Sequence, residues 1–429
     1  MGPTKRYFIA PRGKPSGYCR IQATRVRFEN MNRQISRALI TTTVVAGLLI
    51  SGSVIGPAFA VPSYPSAAEV AAAKASVEAK RAMIKRLEDI IAAQAKIADA
   101  AGRVAQIKGE AYNQAKDAVD LMTSRVNTLQ EQADAANAAA EAAMVQLGRI
   151  AAQMYRDGTG GTALQMFLNQ KEADDLLYRL GAQDKVAAQS DEIYRRSIAK
   201  QNYAQSVSDQ LAVAKVELDK QAKVAQSAYQ EAKTAADEVQ AIVDESNRKN
   251  SVAYNQLADL KNTAADLERQ RAEGLAAEAR QNAGTSKPIA PELYAVGAPN
   301  MNIVNAAIAF GREQLGERYV LGGMGPDVWD CSGLTKASYA AGGLYIGTHS
   351  ATNQFRQMAA DRKLVPLDQW QAGDLIWYTQ SSAFDGDKYH VAIYMGDGTM
   401  MEAPNPARTV RIVPVRYGEL FPYAGRPSA

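Results

Sequence analysis

A thiol, an imidazole and a carboxylate within one stretch of chain can form a nucleophile, its base and the group that orients the base. Residues 301–429 hold all three: Cys331 in "VWDCSGLTKA", His390 at the start of "HVAIYMG" and Glu402 in "TMMEAP". A cysteine attacks as thiolate, and a helix N-terminus favours that form. Asp330 is a good N-cap for a helix through "CSGLTKASYAAG", which places Cys331 in its first turn. Two histidines are available as base, His349 and His390. His390 opens a strand-like run, a rigid platform, and Glu402 is an acid in an otherwise apolar segment. A Cys-His-His zinc site is the chemical rival. Neither Cys-x-x-Cys nor His-Glu-x-x-His spacing occurs, so no metal and no other cofactor is expected.

Strand register decides whether Glu402 reaches His390. A two-residue Asp-Gly turn pairs Gly396 with Thr399 and sets Glu402 opposite Ile393, facing away from His390. A three-residue loop of Gly396, Asp397 and Gly398 pairs Met395 with Thr399 and Ala392 with Glu402. Glu402 then shares the face of His390 as its diagonal neighbour. The three-residue arrangement requires the second register.

The elements that must position these residues occupy about the last 129 residues, enough for one compact domain. All three tryptophans and both histidines lie there. Helices fit "NIVNAAIAFGREQLG" and "CSGLTKASYAAG"; strands fit "DLIWYT", "HVAIYMG", "TMMEAP" and "TVRIVPV". Helices followed by strands read as α+β. Residues 283–300 read as a linker.

From Ser66 to Lys287 the chain has no proline, cysteine, histidine or tryptophan and is rich in helix-forming residues. Val119, Met122, Val126, Leu129, Ala133, Ala136, Ala140, Ala143, Leu147, Ile150 and Met154 alternate steps of three and four, a heptad seam. The composition predicts one helix from about Ala67 to Arg156 and another from about Asp184 to Asn282. "RDGTGG" breaks them. The expected fold class is α + (α+β): a long antiparallel coiled-coil hairpin over residues 61–282, with its tip near 157–182, followed by the domain at 301–429. Leu164, Phe167, Leu168, Leu176, Leu177 and Leu180 at that tip are either a self-packed cap or a docking surface for a partner.

The start reads as an export signal. Residues 1–37 carry nine bases and one acid, an uncharged apolar run follows, and "PAFA" ends in a small-x-small cleavage pattern at Ala60. Met31 is an alternative start. An uncleaved membrane anchor is the other reading of this segment. Cleavage turns the formal charge of +4 into −4, so basicity gives no argument for nucleic acid. It also removes Cys19 and leaves Cys331 unpaired.

"RYVLGGMGPDVWDCSGLTKASY", "YIGTHSATNQF", "QAGDLIWY" and "HVAIYMGDGTMMEAP", in that order, resemble the NlpC family of papain-like cell-wall endopeptidases, and Glu402 is similar to the third residue of its Rip-type members. The resemblance implies a cysteine endopeptidase cutting peptidoglycan stem peptides between D-glutamate and the diamino acid, in wall remodelling and cell separation. It implies Cys331 as nucleophile, His390 as base and Glu402 as orienting group. It places the Tyr319 hydroxyl near the oxyanion and Asp330 and Ser332 at the substrate's edge. His349 is read either as a substrate contact or as loop filler. The helical region is similar, more loosely, to wall hydrolases controlled by the FtsE–FtsX cell-division complex, which implies a partner at Phe167, Leu168, Leu176 and Leu177. Two other function classes stand beside this one: a coiled-coil scaffold that binds wall without cutting it, and a thiol acyltransferase on the same fold.

Overall fold

The computed structural model describes residues 64–156, 173–281 and 295–429, with the side chains of residues 153–187 outside the described set. The expected signal, Phe167 and Leu168 lie outside the described residues. Leu176 and Leu177 are seen as helical backbone alone. No helix among the described residues is long and apolar enough to cross a membrane.

Among the described residues the helical region is four helices where the composition predicts two. Helix α1 (Ala67–Ala73) opens on a capping box, in which Ser66 accepts from the Glu69 amide and the Glu69 carboxylate accepts from the Ser66 amide. The chain turns at Lys74–Ser76, and Ser76 caps α2 (Val77–Arg156) by accepting from the Ala79 amide at 3.1 Å. The fold-back has an apolar cause: it buries Val70 against Leu87, Leu257 and Leu260. Helix α3 (Ala173–Lys261) starts about ten residues earlier than the composition predicts. It stops where Asn262 takes φ 57, a left-handed conformation that asparagine tolerates. Helix α4 (Ala265–Gln281) follows, and Lys261 bridges the break to Glu268 at 2.9 Å.

Helices α2 and α3 pack antiparallel over residues 87–143 and 197–260. Leu87 meets Leu257, Ala101 and Ala105 meet Val239, Leu129 meets Leu211, and Ala136 meets Ala204. Six of the eleven seam residues, Val126, Leu129, Ala133, Ala136, Ala140 and Ala143, are buried, while Val119, Met122, Leu147 and Ile150 are half-buried and the Met154 side chain lies outside the described residues.

After α5 (Met301–Glu313), strands β1 (Arg318–Tyr319) and β2 (Val328–Trp329) form a small parallel pair. Helix α6 (Cys331–Ala341) and helix α7 (Ala351–Ala360) precede the sheet. Its strands are β3 (Leu364–Pro366), β4 (Leu375–Tyr378), β5 (His390–Tyr394), β6 (Thr399–Glu402), β7 (Arg411–Pro414) and β8 (Leu420–Gly425). They pair antiparallel in the order β3-β8-β4-β5-β6-β7. Every residue of β4 and β5 is buried, as central strands require. Phe355 of α7, Trp377 of β4 and Phe421 of β8 stack edge to face in the core. Helix α7, β3 and β8 are elements that the sequence patterns did not reveal.

The β5–β6 hairpin takes the second register. Ile393 pairs with Met401, and the Met395 amide donates to the Thr399 carbonyl at 2.9 Å. Gly396 and Gly398 sit at φ 99 and 78, so the three-residue loop needs glycine at both places.

Candidate active site

Asp330 caps α6 from an extended backbone, its Oδ1 accepting from the Gly333 amide at 2.8 Å. Cys331 is thereby the first helical residue, with 5% of its surface exposed. Gly333 lets the preceding loop come close: a Cβ there would lie 2.0 Å from the Gly323 carbonyl oxygen. Helix α6 packs on β5. The Cys331 thiol meets the backbone amide of Val391, the residue after His390.

His390 is fully buried, and its Nε2 lies 2.7 Å from Glu402 Oε2. Its other nitrogen, Nδ1, is buried without a hydrogen-bond partner. That leaves Nδ1 as the nitrogen able to exchange a proton with a thiol. Burial pushes the imidazole below its ordinary value, and the Glu402 hydrogen bond only partly offsets this. For Glu402, burial alone would raise the carboxyl, but Arg416 and Arg411 outweigh it and hold the group well below the usual carboxylate range.

The thiol departs from expectation. A helix N-terminus lowers a cysteine's pKa, yet burial, with the Asp330 and Glu110 carboxylates, pushes the Cys331 thiol well above its ordinary value. The amides of Val391 and Ser332 oppose this without reversing it.

Tyr319 is buried on β1, and its hydroxyl is pushed up by burial and then by the charges of Asp330, Cys331 and Glu110. The Ser332 hydroxyl donates to Asp330 Oδ1 at 3.2 Å. His349 is buried with its Nε2 2.8 Å from the same Asp330 oxygen, so it is tied to the N-cap of the nucleophile's helix. Cys331, His390, Glu402, Tyr319, Asp330, Ser332 and His349 are thus brought together in one place. Among the described residues no cluster of three or more metal-ligating side chains occurs.

Helix α2 crosses this place, which the sequence patterns did not reveal. The Glu110 carboxylate sits at the N-terminus of α7, accepting from Ser350 Oγ at 2.6 Å and from the Ala351 and Thr352 amides at 2.9 and 3.0 Å. Asn113 donates to Asp330 Oδ2 at 3.0 Å and to Ser332 Oγ at 3.4 Å, next to Cys331 on both sides. Gln106 donates to the Pro404 carbonyl. Asp117 accepts from Asn353 at 2.7 Å and from the Thr348 hydroxyl. Burial raises the Glu110 carboxyl to about 7, against the pull of its donors. The signal for this face was a polar stripe. Gln106, Glu110, Asn113 and Asp117 follow steps of four, three and four, the spacing of a buried seam but with polar side chains. Arg411 and Arg416 were also missed; Arg411 is the first residue of β7 and pairs directly with Glu402, and Arg416 lies two residues past the strand's end.

Residues 316–420 match the NlpC/P60 family. The chain is 31% identical over 183 residues to the peptidoglycan endopeptidase RipB of Mycobacterium tuberculosis, covering 38% of this chain and 70% of that protein. It is 36% identical over 104 residues to the peptidoglycan endopeptidase RipA of the same organism, covering 24% of this chain and 20% of that protein. The gamma-D-glutamyl-L-lysine dipeptidyl-peptidase of Bacillus cereus is 34% identical over 116 residues, 27% of this chain and 33% of that protein. The chain therefore matches a third or less of the length of these last two relatives. Among solved structures, the NlpC/p60 domain of the peptidoglycan hydrolase SagA is 30% identical, covering 28% of this chain and 97% of that one at a TM-score of 0.25. With the RipB match spanning most of that protein and the family's motifs gathered around a single thiol, the chain belongs to the NlpC/P60 family.

Proposed function

We propose that the chain is an exported cysteine endopeptidase that hydrolyses peptidoglycan stem peptides at the D-glutamyl to diamino-acid bond, and that its helical arm, a coiled-coil hairpin, holds it latent. The observation that carries the activity is the buried His390, fixed through Nε2 by Glu402 and left with a free Nδ1 beside the thiol-bearing helix. The relatives' names support a wall-peptide substrate, and the Bacillus cereus name supports the bond.

The chemistry runs in two halves. His390 Nδ1 takes the Cys331 proton as the sulfur attacks the carbonyl carbon. Glu402 keeps the tautomer correct and stabilises the imidazolium. The proton then passes to the leaving amine as the C–N bond breaks, leaving a thioester on Cys331. Water gives a proton to Nδ1, attacks the thioester carbon and releases the carboxylate and the thiol. Tyr319 is assigned to the oxyanion, and Asp330, Ser332 and His349 to the substrate's edge, on the family resemblance and their position.

Latency rests on the seat of Glu110 and Asn113. The 5% exposure of Cys331 and the Asn113 bonds to Asp330 and Ser332 on either side of it support this reading. The proposed release is a partner at the tip (Phe167, Leu168, Leu176 and Leu177), for which the extracellular part of FtsX is the candidate by resemblance. The test uses purified chain lacking residues 1–60 and a defined muropeptide, with products weighed by mass spectrometry. Cleavage after D-glutamate that disappears in Cys331→Ala supports the activity. Binding without cleavage, or acyl exchange without hydrolysis, by a chain freed of arm contacts points instead to the scaffold or the acyltransferase.

A further inference from the structure

Glu402 is held by more than the histidine it orients. Its Oε1 accepts from Arg411 Nε at 3.1 Å, Arg411 Nη2 at 2.9 Å and Arg416 Nη1 at 2.9 Å. Its Oε2 accepts from Arg416 Nη1 at 2.8 Å and faces His390 Nε2 at 2.7 Å. A carboxylate offers about four lone-pair sites, so five contacts leave none free. The terminal torsion of a glutamate is otherwise soft. Here any rotation about it breaks at least one charge-assisted bond.

Arg416 is itself fixed. Its guanidinium lies over the Tyr378 ring at 4.6 Å, and the same ring lies 5.6 Å from the His390 ring. Arg411 comes from the strand opposite, paired in register with Glu402. The side chains of Arg416 and Arg411 are 21% and 33% exposed against 0% for Glu402, so the guanidiniums close the carboxylate off from water.

Two cations on one anion is more than neutralisation requires. With His390 neutral the cluster carries a net positive charge, and it gains another when His390 is protonated. Both cations favour the ionised Glu402. The second opposes charging of the imidazole and adds a second anchor. The Tyr378 hydroxyl from β4, beside the His390 ring, is pushed up by burial and is uncharged at neutral pH. Lys388 points away, its Nζ over the Phe355 and Phe421 rings.

We propose that Arg416, seconded by Arg411, is a positioning residue for the thiol–imidazole chemistry: it locks the Glu402 carboxylate in one orientation and keeps it a hydrogen-bond acceptor that never takes the imidazole proton. This rests on the reading of His390 as base. Neither arginine touches the reacting atoms.

The chain has only two histidines, so ¹⁵N-histidine NMR of the full chain follows His390 directly, with His349→Gln assigning the signals. Arg416→Gln is expected to raise the His390 midpoint by about one pH unit, a tenfold gain in proton affinity. Arg416→Lys keeps the charge and loses the two-oxygen grip. It should leave the midpoint within a few tenths of a unit and lower kcat for muropeptide roughly tenfold at unchanged KM. Arg411→Gln, at the more exposed site, should shift the midpoint in the same direction by less, and it decides the question if circular dichroism shows Arg416→Gln unfolded. A His390 midpoint that stays put or falls in the folded glutamine variants overturns the proposal. If the parent chain hydrolyses nothing, the activity reading fails, while the titration still tests the clamp.

Discussion

At Cys331, two opposing influences meet. The amides of the helix N-terminus and of Val391 favour the thiolate, and burial with two nearby carboxylates favours the thiol. Burial wins while α2 is seated. Cys331→Ala should abolish hydrolysis by several orders of magnitude while circular dichroism and melting stay as in the parent; normal turnover by the variant would sink the thiol mechanism. Glu402→Gln should cost less in kcat than His390→Ala, because the amide still accepts from Nε2 while losing the charge. Equal losses would show that the charge is the whole of its role. The lowered carboxyl also has a signature in stability. A carboxyl whose folded value lies below the ordinary 4.5 contributes stability that is fully present above 4.5 and is lost as pH falls through the lowered value. The melting temperature of the Glu402→Gln chain should therefore depend less steeply on pH below about 5 than that of the parent.

Elements explain which features could be seen in advance. The nucleophile's helix was legible because Asp330 is a cap and "CSGLTKASYAAG" has no proline and a single interior glycine, Gly333. The β5–β6 register was legible as a choice between two, since the glycines at 396 and 398 permit only certain loops. Helix α7 was hidden because "SATNQFRQMAA" has a short apolar face and a polar cap that reads equally well as a turn. Strand β8 was hidden by Pro422, which alternation reads as a break. The arm's seat was hidden because polar side chains along a long helix usually face water; only their heptad spacing marked them. Two variants test these elements. Gly333→Ala drives a methyl into the Gly323 carbonyl at 2.0 Å and should destabilise the catalytic part by about 1–3 kcal/mol or more in chemical denaturation. Glu110→Ala leaves a hydroxyl and two amides at α7 without their acceptor, at a cost of roughly 1–3 kcal/mol for each group that stays dry. Alkylation of Cys331, read by peptide mass mapping, should speed up at least tenfold in Glu110→Ala. An unchanged rate would mean that the seat of Glu110 does not guard the thiol.

At the scale of the whole molecule, the arm does two things at once. It covers the site with polar contacts from Gln106 to Asp117, and it is tied down again where Arg103 bonds Glu419 at 2.7 Å. Residues 61–429 should hydrolyse a muropeptide clearly more slowly than residues 301–429; equal rates would reduce the arm to a tether. The seam mixes alanine with valine and, around Leu129 and Leu211, leucine, so it buries less area per residue than an all-leucine seam and repacking α2 against α3 costs correspondingly less. From Glu110 to Arg156, α2 runs on for about 70 Å. A tilt about the seat sweeps the far end through a wide arc and scarcely moves the Glu110 carboxylate. A roll about the helix axis is passed along the rod undiminished, and with side chains about 5 Å from the axis a roll of some 40° carries that carboxylate roughly 3–4 Å, beyond hydrogen-bond reach. Under the proposed release, α2 serves as a drive shaft: torque applied at the distal end turns the key at Glu110, and sideways pulling does not.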